Sequence, residues 1–250
     1  MPSTDWNKTW DKSYDWSQGG DEWTGQAEYC GQPYEEWKRA LLETFVAPNL
    51  EPDSVALEVA PGRGRWTEFL VQHAAKVHLF DLNESCIEAC RQRFAGADHV
   101  TYCVNDGASL PGVADESVDF VWSYDSFVHM EADTIAAYLG EFSRVLRPGG
   151  RAVIHHAGRR HAMLPLGFML RLGSLSRYVY KLLSMKRDTM GRPDGKRSVV
   201  SRELFAQLAS GAGLQVQSQV DSWGDQGQYT CKRFNDFVTS MQKPLAPSRA

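Results

Sequence analysis

Along the middle of this chain, short apolar runs alternate with segments of helical period. Apolar runs at residues 55–60, 77–81, 100–104, 118–123 and 152–156 predict strands. Segments at 67–74, 84–94 and 131–146 carry apolar residues at spacings of three and four and predict helices. A further amphipathic helix is expected at about 35–47. This strand–helix rhythm argues for a parallel sheet covered on both faces. After residue 157 the rhythm breaks. Residues 164–183 are apolar but interrupted by Arg171, Arg177 and Lys181, and a polar, glycine-rich stretch follows to Arg197. The rhythm resumes with Ser201 as the N-cap of a helix through 212, then closing strands at 214–220 and 228–234.

The expected architecture is a doubly wound, mostly parallel seven-stranded α/β sheet of Rossmann-like form. An N-terminal aromatic cap and leading helix occupy 1–50, a nucleotide-binding core 51–157, a lid insertion 158–200, the completion of the core 201–243, and a tail 244–250. The cap reading rests on Trp6, Trp10, Trp16 and Trp23, with Trp37 just beyond; the alternative is an arm packed on the core. The insertion admits a lid, a dimer surface, a membrane-surface helix or a helix packed on its own domain.

The stretch Val55-Ala-Leu-Glu58-Val-Ala-Pro-Gly62-Arg-Gly64-Arg-Trp-Thr-Glu carries the most chemistry. A strand runs into a Gly-x-Gly turn and then a helix, the layout that brings backbone close to a nucleotide. Asp81 ends the next strand, at the distance expected of an acid that holds ribose hydroxyls. Thr67 replaces the third glycine of a dinucleotide fingerprint, which weakens a pyrophosphate reading. Arg63 and Arg65 flank the turn, available to Glu58, Glu68 or a ligand carboxylate. Ligands of such sheets sit beyond the carboxyl ends of the strands. Gly62, Asp81, Asp106, Asp125 and His156 all fall there.

Glu58-x-x-x-Gly62-x-Gly64, Asp81, Asn105-Asp106-Gly107, the run from Ser117 to Asp125 and Leu146-Arg-Pro-Gly-Gly150 resemble the motifs of class I S-adenosylmethionine (SAM)-dependent methyltransferases. The resemblance runs from about 55 to 156. It implies that Glu58, Ala60, Gly62, Gly64, Trp66, Asp81, Leu82, Asn105, Asp106, Gly107 and Tyr124 contact SAM. A narrower likeness, to bacterial sugar-type O-methyltransferases, uses 16–23, 125–129, 154–156 and 221–223. It implies a saccharide or glycosylated natural-product hydroxyl as acceptor. Such a hydroxyl needs a base, with Asp125, His129, His155 and His156 as candidates. Neighbouring strand residues face opposite ways, so one of His155 and His156 is expected to reach the site. Asp125 with His155 or His156 also offers a Mg²⁺ site, although imidazole suits Mg²⁺ poorly. An N- or other small-molecule methyltransferase is the alternative; a nicotinamide-dependent oxidoreductase and a non-catalytic nucleotide-binding module are more distant ones.

Composition narrows this little. Hydrophobic residues at 42% and charged ones at 23% are ordinary for a globular chain. The net charge, 27 − 31 = −4, gives no basic face for nucleic acid. No apolar run reaches the roughly 20 residues that span a bilayer, and the polar start carries no signal-peptide core. Five cysteines without a Cys-x-x-Cys pair are expected as reduced thiols in a cytoplasmic protein. A homo-oligomer is compatible with all of this.

Overall fold

The computed structural model describes residues 25–158, 198 and 200–245. The tryptophan-rich 1–24 and nearly all of the proposed insertion lie outside the described residues. Two helices lead in: α1 (Gly25–Cys30) and α2 (Tyr34–Phe45). Then strands and helices alternate: β1 (Val55–Val59), α3 (Thr67–His73), β2 (Lys76–Asp81), α4 (Glu84–Arg93), β3 (Val100–Val104), β4 (Val118–Phe127), α5 (Ala132–Val145) and β5 (Leu146–Ala157). The chain closes with α6 (Arg202–Gly211), β6 (Gln215–Val220), a small ribbon of β7 (Ser222–Trp223) and β8 (Tyr229–Thr230), and β9 (Asp236–Gln242).

The seven-stranded sheet has the order β3-β2-β1-β4-β5-β9-β6. All neighbours up to β5 are parallel, and β9 is antiparallel to both β5 and β6. The expected doubly wound sheet is therefore present, with one correction. Residues 228–234 do not form the closing strand; they supply β8 and a 3₁₀ turn (Lys232–Phe234). The strand that completes the sheet is β9, whose Phe237, Val238, Thr239 and Met241 are buried.

Both faces of the sheet are covered. Trp37 and Leu41 of α2, Leu70 in the middle of α3 and Ile87 of α4 pack with Phe120, Trp122 and Val153 on one face, together with Trp223 of the ribbon. Ile135, Tyr138 and Phe142 of α5 and Phe205 of α6 pack with Val121, Phe127, Ile154 and Met241 on the other. The helix starts are set locally. Asn83 Oδ1 accepts from Ser85 N (2.9 Å) at α4, and Ser201 Oγ accepts from Leu204 N (3.1 Å) at α6. All five cysteines are free. Among the described residues, no helix is long and apolar enough to cross a membrane.

Candidate active site

The carboxyl ends of β1 and β2 meet at the glycine turn. Ala60, Gly62 and Gly64 have φ of 57°, 57° and 88°, so three residues within five take the left-handed region. Asp81 ties this turn to β2: its Oδ2 accepts from Gly62 N (3.3 Å) and its Oδ1 from Asn83 N (2.8 Å). Burial pushes the Asp81 carboxyl up to about 6, against those backbone bonds. Glu58 is fully buried on β1. Thr67 Oγ1 donates to its Oε2 (2.5 Å), which gives the residue in the third-glycine place a structural task. Glu58 Oε1 is buried without a hydrogen-bond partner, and burial pushes the acid up to about 8. A buried oxygen without a partner, beside a turn of left-handed residues and a strand-end acid, fits a polar nucleotide-like ligand.

Gly64 has a second reason to be glycine. A Cβ there would lie 2.6 Å from Cε2 of Phe94, so the turn packs on its own core as well as facing the open end. Beyond β3, Asn105 is occupied internally. Its Nδ2 donates to Ser109 O (2.6 Å) and Tyr138 Oη (3.0 Å), and its Oδ1 accepts from Gly107 N (3.2 Å). Asp106 Oδ1 caps its own loop by accepting from Ala108 N and Ser109 N. Leu82 lies against Gly107, within 3.3 Å of where a Cβ would stand. Trp66 is buried, and the Arg65 guanidinium stacks on it at 4.5 Å.

The second half of the site lies at the ends of β4 and β5. The register between them shifts after Ser123, and Asp125 falls in that irregularity with φ of 68°. A non-glycine residue held there costs of order 1–3 kcal/mol, and such strain gathers at functional sites. The Asp125 carboxylate is braced from three sides. Arg65 Nη2 donates to Oδ2 (2.7 Å), Gln26 Nε2 donates to Oδ1 (3.1 Å), and His155 Nδ1 lies 3.3 Å from Oδ1. Burial works against its charge, yet His155 and Arg65 hold the carboxyl well below the usual range.

His155 is fully buried behind it, stacked on the Tyr124 ring at 4.2 Å. Its Nε2 is 3.5 Å from Asp236 Oδ2. Its Nδ1 faces both the Asp125 carboxylate and the Asp125 backbone N–H (3.2 Å). Charge balance decides between these. Asp125, Asp236 and Arg65 alone leave one net negative charge in the interior, and an imidazolium neutralises it. Burial opposes that charge, but bonding to Asp125, Asp236 and Cys231 outweighs it and raises the His155 pKa well above its ordinary value.

His156 points the other way. Its Nε2 pairs with Thr239 Oγ1 and its Nδ1 with Ala157 O, both at 2.6 Å, and its ring stacks on Phe205 at 3.6 Å. Burial pushes its pKa down to about 3. The strand ends thus bring Asp125 and His155 together and leave His156 behind the sheet. His129 is partly exposed on the turn after β4, closed by His129 N donating to Ser126 O (3.0 Å).

This arrangement does not fit the expected Mg²⁺ site. The Asp125 oxygens already accept from cationic and amide donors, and both ring nitrogens of His155 face carboxylates. Among the described residues, no group of three or more His, Cys, Asp or Glu side chains is placed to hold a metal. Arg65 was expected to serve Glu58, Glu68 or a ligand, but its guanidinium pairs with Asp125 (2.7 Å); Arg93 takes Glu68 (3.0 Å). Sequence reading missed Gln26, Cys231 and Asp236. Gln26 and Cys231 lie in segments too short for any period to show, and Asp236 opens a strand placed elsewhere.

Comparison with known proteins agrees with this geometry. Residues 56–150 match the family model of a methyltransferase domain. The chain is 30% identical over 142 residues to sarcosine/dimethylglycine N-methyltransferase of Halorhodospira halochloris, covering 52% of this chain and 50% of that protein. It spans half or less of the length of the first curated relatives it matches. Among solved structures, geranyl diphosphate C-methyltransferase from Streptomyces coelicolor A3(2) aligns with a TM-score of 0.60, at 13% identity, over 98% of this chain and 100% of that one. A sarcosine dimethylglycine methyltransferase from Galdieria sulphuraria aligns with the same TM-score at 16% identity, over 87% and 91%. At such identities the structures share the fold. The strand order, the glycine turn with Asp81 beside it, and the matched segment identify residues 56–150 as a class I SAM-dependent methyltransferase domain.

Proposed function

We propose that this chain transfers a methyl group from SAM to a small-molecule nucleophile that donates a hydrogen bond to Asp125. The observation that carries this reading is the Asp125 carboxylate itself. It is partly exposed, it sits at a strained strand end beside the glycine turn, and three groups fix its direction. SAM, when bound, supplies an electrophilic methyl and its own leaving group. What remains for the protein is alignment and exclusion of water. Glu58, the 60–64 turn and Asp81 would hold the cofactor. Asp125 would accept the acceptor's O–H or N–H bond and so aim its lone pair.

A carboxylate held so far below its usual range is a weak base and a good orienting group. His155 braces it without reaching the acceptor, since the ring is fully buried. A saccharide hydroxyl, the finer reading of the sequence, then requires its proton to be taken by His129, which is partly exposed on the turn after β4. An amine in its neutral form requires no such base.

The test pairs calorimetry on S-adenosylhomocysteine with a methyl-transfer assay over primary and secondary alkylamines and methyl glycosides. Asp125→Asn is expected to keep S-adenosylhomocysteine affinity within about twofold while lowering kcat by about 10²-fold. For a hydroxyl acceptor, His129→Ala should lower kcat by about 10²-fold and leave S-adenosylhomocysteine affinity nearly unchanged. Absence of S-adenosylhomocysteine binding, or an Asp125→Asn chain with normal kcat, would overturn the proposal.

A further inference from the structure

Gln26 comes from α1, far from the motifs of the core, and is buried to 2% exposure. It makes two bonds at the end of β4. Its Nε2 donates to Asp125 Oδ1 (3.1 Å), and its Oε1 accepts from Tyr124 Oη (2.5 Å). The proton arrangement follows from the chemistry of these groups. An ionised carboxylate only accepts, so the amide must turn its NH₂ toward Asp125. Its carbonyl then faces Tyr124, and the phenol must be the donor. The Tyr124 hydroxyl hydrogen and one Gln26 amide hydrogen therefore both point along the chain toward the carboxylate, as the Arg65 hydrogen does from the other side.

The far end of α1 is fixed to the same region by a separate route. Cys30 Sγ donates to Thr230 O (3.1 Å) and accepts from Thr230 N (3.3 Å). Tyr29 meets the Phe234 ring at 5.2 Å and carries the Arg233 guanidinium at 4.2 Å. Thr230 precedes Cys231, whose thiol donates to Asp236 O (3.1 Å), and Asp236 Oδ2 lies 3.5 Å from His155 Nε2. One turn and a half of helix thus touches the front of the Asp125–His155 pair through Gln26 and its back through the ribbon.

We propose that Gln26 is a positioning residue for methyl transfer, with its carboxamide aiming the Asp125 carboxylate and making α1 a wall of the acceptor site. The assignment rests on the reading that Asp125 orients the acceptor. It also narrows the acceptor class. With its donors converging, Asp125 offers the incoming group only lone pairs. A hydroxyl or a neutral amine satisfies that, and a carboxylate or phosphate as the attacking group does not.

The test uses the full chain saturated with S-adenosylhomocysteine and three variants. Gln26→Leu removes both bonds at similar size. Gln26→Glu sets acid against acid. Gln26→Glu combined with Asp125→Asn exchanges acid and amide across the same contact. Gln26→Leu is expected to leave S-adenosylhomocysteine affinity within about twofold and to move the His155 ring signals in ¹⁵N NMR. It should also lower kcat on whichever amine or glycoside is methylated by about tenfold, with a smaller change in KM, consistent with loss of a hydrogen bond to a charged group. Gln26→Glu should be worse, and the exchanged pair should recover the melting temperature but not kcat, because the carboxylate then sits on the wrong element. Unmoved His155 signals with normal kcat would overturn the assignment. So would a fall in kcat that only tracks lost S-adenosylhomocysteine binding or a lower melting temperature, which would make Gln26 a packing residue. If no acceptor is methylated, the proposed function fails, while the ring signals still decide the role of Gln26.

Discussion

The two faces of the sheet near β5 are built on opposite rules. Behind the sheet, His156 sits neutral against Phe205, with both ring nitrogens bonded, among Ile154, Phe127 and Met241. In front, His155 sits between two carboxylates beneath Tyr124, in a layer of Trp37, Trp66, Trp122 and Trp223. The indole N–H groups of those four tryptophans are buried with no hydrogen-bond partner. An unmade buried bond costs about 1–3 kcal/mol. The rear face is a satisfied core. The front face tolerates buried charge, unpaired donors and left-handed backbone at Asp125, a pattern typical of sites kept for function rather than stability. Adjacent residues of one type differ so sharply because strand alternation sends them into different layers.

The largest test of this contrast is to remove each imidazole in turn. His155→Leu leaves Asp125 and Asp236 without their shared cation, and urea unfolding should show a loss of about 3–5 kcal/mol. His156→Leu gives up two hydrogen bonds in an apolar layer and should cost no more than about 2 kcal/mol, with S-adenosylhomocysteine affinity unchanged. Equal losses would erase the distinction. Next, Gly64→Ala should destabilise the fold by about 1–3 kcal/mol, since its Cβ meets Phe94 at a φ of 88°; Gly64→Ala with Phe94→Leu should recover part of that. A neutral Gly64→Ala melt would return that glycine to a ligand-only role. Asp81→Ala should weaken S-adenosylhomocysteine binding by about 1–3 kcal/mol in calorimetry while the chain melts normally.

A separate test is the pH dependence of the unliganded chain, where the two faces should oppose each other. The folded pKa of His156, about 3, lies below the roughly 6.5 of an unfolded chain. Its contribution is complete above about 6.5 and is lost as the pH falls from there toward 3. Glu58 is raised to about 8 from 4.5, so its contribution is complete below about 4.5 and is lost as the pH rises through 8. His156→Leu should flatten the acid limb of the stability curve, and Glu58→Gln the alkaline one. A curve unchanged by both would show that burial at these positions is relieved by water.

Much of the frame was legible because it is periodic. The strand predicted at 100–104 and the N-cap at Ser201 appear as expected, and 118–123 is extended to Phe127. The last strand was not legible. The run from Asp236 to Gln242 mixes polar and apolar residues that are nearly all buried, because it lies between two other strands rather than at an edge. Alternation showed that only one of His155 and His156 would face the site. Choosing between them required knowing that Asp236 would lie beside one, a contact 81 positions away in sequence. Glycine at 64 read as clearance for a ligand, since nothing in the sequence brings Phe94 to it.

The position of β9 also has a consequence for the order in which this protein can be made. Residues 26, 65, 125 and 155 leave the ribosome well before 236, and β9 must enter between β5 and β6. Until it does, β5 presents an open edge, and His155 has only one of its two carboxylates. A nascent chain at that stage carries an unpaired strand edge, a hazard for misassembly. Refolding should therefore show a late step in which sheet closure and protonation of His155 occur together, and it should slow when Asp236 is replaced by asparagine.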